Sequence, residues 1–128
     1  MAQILMFNLE AGKCARIRVL AMGLGIFTVT VKPEDFGKTF AVLTGRETGR
    51  QAGQPVLLFA GEMLVMDELE SNQFHCLLDG MRGMDAKVEL KAVITEHNLQ
   101  WTPAQLYREL CAERETIARS VKNRPTRI

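Results

Sequence analysis

The sequence predicts a single-domain α/β fold of three layers: a four-stranded, mainly parallel sheet with helices on both faces. Three observations predict it. Strand and helix patterns alternate four times along 128 residues. The strand segments are short, nearly unbroken apolar runs of the kind buried on both faces of a parallel sheet. At this length, with 47% of residues hydrophobic, the chain suits one core rather than two. Alternation of this type implies right-handed crossovers, and the simplest strand order is 2-1-3-4. Residues 1–119 are expected to form the domain and 120–128 a basic, frayed tail. No internal repeat or low-complexity tract stands out.

Gln3 to Phe7 is almost wholly apolar and reads as the first strand. From Glu10 to Met22, Cys14, Ile17, Ala21 and Leu24 recur at helical spacing, and Gly23 or Gly25 supplies the stop. Ile26 to Val31 is β-branched and aromatic, which suits a second strand. Pro33 fits a first helical turn, Glu34 and Asp35 suit the positive helix start, and Phe36, Phe40 and Leu43 would share a face before Gly45. Gly45 to Gln54 carries three glycines and two arginines and reads as a flexible loop. Met63 to Met66 is taken as the third strand, with Val56 to Phe59 packed on the sheet. Ser71 to Arg82 places Phe74, Leu77, Leu78 and Met81 on one helical face, closed by Gly83. Leu90 to Ile94 is the fourth strand, and a last helix runs from Pro103 to about Arg119. Thr102, Pro103 and Gln105 give that helix a Thr-x-x-Gln capping box.

Composition removes several classes of function. Sixteen Lys and Arg against fifteen Asp and Glu leave a net charge of +1, so no global field draws the chain to nucleic acid or anionic membrane. No apolar run approaches the ~20 residues needed to span a bilayer. The start lacks a basic region and a cleavage site, so it reads as strand rather than signal peptide. Cys14, Cys76 and Cys111 fall in helices where a small apolar residue would serve, the usage of a reducing compartment. A cytoplasmic location is expected.

In open parallel sheets, ligands sit at the carboxyl ends of strands where the order reverses. That rule would place Asn8 beside Asp67 and Glu68, with Thr95, His97 and Asn98 on the next loop. Asn8, Thr95, Asn98 and Trp101 are the candidate ligand-binding residues, with short amide and hydroxyl groups to orient a ligand and an indole to stack on it. The competing reading is turn capping for Asn8, Thr95 and Asn98 and core anchoring for Trp101. His97 could act as a general base oriented by Glu96 or Asp67. Neither His97 nor His75 has the Cys or carboxylate companions of a zinc site. Cys76 and Cys111 lack a helix start to lower their pKa, so packing suits them better than nucleophilic chemistry. Arg46 and Arg50 in the glycine loop lack the Gly-Lys-Ser/Thr ending of a phosphate loop. Arg119, Lys122, Arg124 and Arg127 make the tail basic without an aromatic platform, so no specific nucleic-acid partner is expected.

The segment Leu90-Lys91-Ala92-Val93-Ile94-Thr95, followed by Asn98, Trp101, Leu106 and Glu109-Leu110, resembles a family of short bacterial proteins classed as a domain of unknown function. Phe7-Asn8, Pro33-Glu34-Asp35-Phe36-Gly37 and Glu62-Met63-Leu64-Val65-Met66 are also similar to it. The resemblance implies a compact α/β domain with a strand at Met63 to Met66, and brings no activity, substrate or cofactor. The sequence departs from the family at Glu96, His97, Asp67 and Glu68, so the resemblance assigns those four no role. The sequence thus points to a non-catalytic ligand-binding or interaction module without cofactor or metal, its partner a small molecule or a protein. The alternatives are a small enzyme or redox-sensitive protein using His97 or a cysteine, and a protein-interaction subunit. Seven methionines and the Val56 to Phe59 segment suit self-association.

Overall fold

In a computed structural model describing residues 1–48 and 58–123, with side chains through Glu115, the elements follow the expected order. They are β1 (Gln3–Phe7), α1 (Ala11–Gly23), β2 (Phe27–Thr30), a 3₁₀ turn (Pro33–Asp35), α2 (Phe40–Leu43), β3 (Met63–Asp67), α3 (Ser71–Gly83), β4 (Leu90–Val93) and α4 (Pro103–Asn123). Alternation along the strands builds two cores. Ile4, Met6, Leu64 and Met66 point to one face, under α1 and α3, with Ile17, Ala21, Leu77 and Met81. Leu5, Phe7, Met63 and Val65 point to the other, under α2 and α4, with Phe36, Phe40 and Leu106. Three layers result, as composition and pattern predict.

The strand order is β2-β1-β3-β4, as expected. The sheet is mainly parallel, as expected, with β1 paired to β2 and β3 to β4 in parallel; the one departure is the central pair, where β1 and β3 run antiparallel with Leu5 opposite Val65. Both central strands are covered by helices on both faces, so either relative direction buries the same side chains and a mixed sheet satisfies the same apolar pattern.

That central pairing exposes a repeat that the sequence conceals. Both β1-to-α1 and β3-to-α3 units correspond at a spacing of 60 residues: strands from 3 and 63, thirteen-residue helices from 11 and 71. Both units have a positive-φ residue after the strand, Asn8 at 60° and Glu68 at 57°. From β2 and β4 onward the spacing is 63 residues. Val31 N–H bonds the Met6 carbonyl as Ile94 N–H bonds that of Met66, and Lys38 N–H bonds the Asp35 carbonyl as Trp101 N–H bonds that of Asn98. Thr39 caps α2 as Thr102 caps α4, each through its hydroxyl to the backbone N–H three residues on. A pseudo-two-fold axis normal to the sheet passes between Leu5 and Val65. It also passes between Leu20 of α1 and Gly80 of α3, equivalent positions where a Cβ on Gly80 would lie 2.6 Å from Leu20 Cδ2. Only one of the two can carry a bulky side chain at that crossing.

The halves differ in two places. Six residues, 84–89, separate α3 from β4, whereas three, 24–26, separate α1 from β2. The first half's last helix is also cut to one turn, α2, where the second half has α4. The single helix expected from Pro33 to Leu43 is accordingly a 3₁₀ turn and a separate α2, because Thr39 restarts the helix with its own cap. In the second half α4 covers Leu90, which is 8% exposed, while its counterpart Phe27 is 59% exposed. The end of α4 at Asn123 lies four residues beyond the expected Arg119. Most of the expected glycine loop, from Gly49, and the start of the apolar segment at Val56 lie outside the described residues; Phe59 packs in the α2/α4 core.

Candidate functional site

The antiparallel β1·β3 pair divides the expected strand-end site. Asn8 follows the end of β1 that lies beside Met63 at the start of β3, whereas Asp67 pairs with Gln3 at the opposite edge. Asn8 is therefore not beside Asp67 and Glu68, and a crevice shared by Asn8, Thr95 and Asn98 does not form. Each half instead keeps its own strand ends.

At the first, Asn8 holds a left-handed backbone, which a short amide side chain tolerates. Its Nδ2 donates to the carbonyls of Phe59 (2.8 Å) and Gly61 (3.1 Å), pinning the approach to β3. That approach is tight. Phe36, Phe59 and Tyr107 stack face to face, with centroids 4.7 and 4.5 Å apart, and Gly61 lies against the Tyr107 ring. Burial, and next the Cys111 thiol, push the Tyr107 phenol above its ordinary pKa.

At the second, Asn98 is buried and both ends of its amide are engaged. Oδ1 accepts the Thr95 N–H at 2.9 Å and Nδ2 donates to the Val93 carbonyl at 3.1 Å. Trp101 packs into the α2/α4 core, and its carbonyl accepts the Phe40 N–H at 2.9 Å, joining the two halves. Exposed Thr95 contributes its backbone to this turn. Asn98 and Trp101 thus organise a turn, with both polar atoms of the buried Asn98 amide bonded to its backbone. His97 rests against the Trp101 ring edge, centroids 5.1 Å apart. Asp67, one of the two carboxylates that the sequence offered as its orienter, instead receives two hydrogen bonds from Arg46 (both 2.9 Å) and one from Gln3 Nε2 (2.8 Å). Those bonds raise Arg46 above the usual arginine pKa, opposed by partial burial. Arg46 is therefore committed to tying the chain after α2 to the end of β3, away from any phosphate-loop role.

The cysteines are free and half-buried. The described residues hold no group of three or more His, Cys, Asp or Glu placed to share a metal, and no described helix is long and apolar enough to cross a membrane. The side chains of Arg119, Lys122, Arg124 and Arg127 lie outside the described set.

Sequence reasoning missed the recess beside the longer α3-to-β4 connection. It encloses about 420 Å³ and is lined by Leu78, Met81 and Arg82 of α3, Asp85, Lys87 and Val88 of the connection, and Lys91 of β4. Met81 and Val88 are buried and form an apolar floor; the three cations and Asp85 are exposed around it. Lys91 Nζ donates to the Val88 carbonyl at 2.6 Å. Glu89, just outside, is held by Lys87 at 3.3 Å and faces Arg114 at 3.9 Å. A hydrogen bond from Lys87, then the charges of Lys87, Arg114 and Lys91, lower its pKa. The available signal was Lys91 itself. It alternates with Leu90 and Ala92, so it points to the sheet face of Leu64 and Met66, where its counterpart in the first half is the shorter Thr28.

No curated protein and no solved structure matches the chain. The recess lies within a recognised segment, which starts at the residue before β3 and ends inside α4: residues 62–117 match the family described as Domain of unknown function (DUF3783).

Proposed function

We propose that the chain is a non-catalytic binding module that takes a small molecule in the recess between α3 and β4. One observation carries this reading: the recess has the size and mixed lining of small-molecule sites, roughly 300–1,000 Å³ with an apolar floor and few polar groups. Its position adds weight, because it is built by the connection that lengthens one half of an otherwise repeated backbone. The strand-end residues give less support, since the amides of Asn8 and Asn98 serve backbone turns. The acid–base alternative loses one of the two carboxylates expected to orient His97, because Asp67 is bound by Arg46, and keeps Glu96.

The test is a thermal-shift screen of the purified chain against nucleotides, sugar phosphates, amino acids and organic acids. A compound at a hundred times its Kd adds about 2.7 kcal/mol to stability. A hit abolished by Leu78→Trp, which fills the recess, supports the proposal. A hit indifferent to that change, or an empty screen, refutes it. A second reading, a protein-interaction subunit, is favoured by exposed Phe27 on the edge strand β2, with exposed Val19 and Met22 on α1. Concentration-dependent sedimentation that is lost in Phe27→Ser would support it; a monomer at all concentrations would count against self-association.

A further inference from the structure

We infer that the compound taken by the α3–β4 recess is a small organic anion with an apolar body: a carboxylate or phosphate monoester head on a short hydrocarbon or aromatic group. This rests on the binding-module reading above and adds the chemical class.

The lining separates into two parts. Half-buried Leu78 offers hydrocarbon at the floor, backed by buried Met81 and Val88, and Arg82, Lys87 and Lys91 surround it with three positive charges against one lining carboxylate, Asp85. Two further acids, Asp79 and Glu89, lie outside the lining and pair with Arg82 and Lys87. Arg82 meets Asp79 at 3.7 Å with both side chains more than 70% exposed, and Lys87 meets Glu89 across an exposed 3.3 Å pair. Such solvated pairs are weak and readily exchanged for a ligand's anionic group. Lys91 is the anchor. Its ammonium has three donors and one goes to the Val88 carbonyl, which fixes the nitrogen at the edge of the floor with the others available. Among the described residues it has no ion-pair partner within 4.0 Å. A neutral ligand would leave this ammonium unmatched, and an inorganic anion would leave the floor unfilled.

The experiment titrates the ¹⁵N-labelled full chain with three probes: octanoate, octan-1-ol and inorganic phosphate. Octanoate is expected to shift the amides of residues 78–91 saturably, and both other probes to bind at least about tenfold more weakly. Lys91→Met is expected to weaken octanoate about tenfold, the loss of one charged hydrogen bond. Lys87→Met serves as a second, exposed variant with a smaller effect in the same direction. Octan-1-ol binding as well as octanoate, or Lys91→Met leaving octanoate unchanged, would overturn the anionic class while leaving a binding recess standing. Phosphate binding as well as octanoate would overturn the apolar body. No probe shifting these amides would overturn the inference, and a concurrently empty thermal-shift screen would take the binding module with it.

Discussion

Asn98→Ala separates a turn-building residue from a ligand-binding one. The substitution removes two hydrogen bonds, to Thr95 N–H and the Val93 carbonyl, at a side chain 7% exposed. Each such bond contributes about 1 kcal/mol net, and leaving its backbone partner unsatisfied in a partly buried turn adds to the loss. The expected total is about 2–3 kcal/mol. With an unfolding entropy of about 2.1 cal/mol/K per residue, 128 residues give about 0.27 kcal/mol/K, so Tm should fall by roughly 7–11 °C. Thermal unfolding followed by circular dichroism or calorimetry reads this directly. Asn98→Asp keeps the acceptor for Thr95 but sets a carboxylate oxygen against the Val93 carbonyl, so it should be destabilised too. A fall of less than about 2 °C for Asn98→Ala would refute the claim that the amide holds the β4 turn, and would return Asn98 to the candidate binding residues.

Three further outcomes are expected. Gly61→Ala should cost about 1–3 kcal/mol through overpacking, because an added Cβ would sit 2.8 Å from Tyr107 Cε1 and 2.9 Å from Cζ in a ring stacked on Phe59; chemical denaturation should show the loss, and combining it with Tyr107→Ala should recover part of it. Arg46→Met should cost about 2–3 kcal/mol, since it strands the buried Asp67 carboxylate with Gln3 as its remaining partner, and a shifted urea midpoint at unchanged slope would measure it. Glu10 is held below its ordinary pKa by the backbone N–H groups of Gly12 and Lys13 at the start of α1. A depressed folded-state pKa gives stability that is present above the unfolded value and lost as pH falls through the folded one. Glu10→Gln should therefore lower Tm near neutral pH, with the gap to the parent closing as pH drops below about 4; a gap that widens in acid would contradict the cap.

Much of the fold was legible because local signals were strong. Gly23, Gly45 and Gly83 ended elements as expected, and Thr102-Pro103-x-Gln105 started α4. The direction of β3 was not legible. Ile4-Leu5-Met6-Phe7 and Met63-Leu64-Val65-Met66 are apolar on both faces, so their pattern carries no information about which way the neighbour runs. The repeat was hidden for a related reason. What recurs is burial and backbone geometry, as in Ile17 with Leu77, Ala21 with Met81 and Asn8 with Glu68, and few identities accompany it. The placement of the candidate residues followed the direction of β3: Asn98 and Trp101 lie together at the turn after β4, and Asn8 sits at the other edge. The recess depended on a connection length and on Lys91 facing the helix side of its strand, which become visible only once the halves are superposed by register.

The pseudo-two-fold axis has a consequence for how this scaffold can change. Were the halves separate identical copies, any residue would appear twice, and an alteration that opened a cleft on one side would open it on the other. Joined in one chain, each position is encoded once. Leu20 can stand over Gly80 at the axis, where two leucines could not both fit. Three extra residues can open a recess beside α3 while α1 stays closely connected to β2, and the shortened α2 can bare Phe27 without uncovering Leu90. The central β1·β3 pairing keeps its symmetric register throughout, leaving each flank free to diverge.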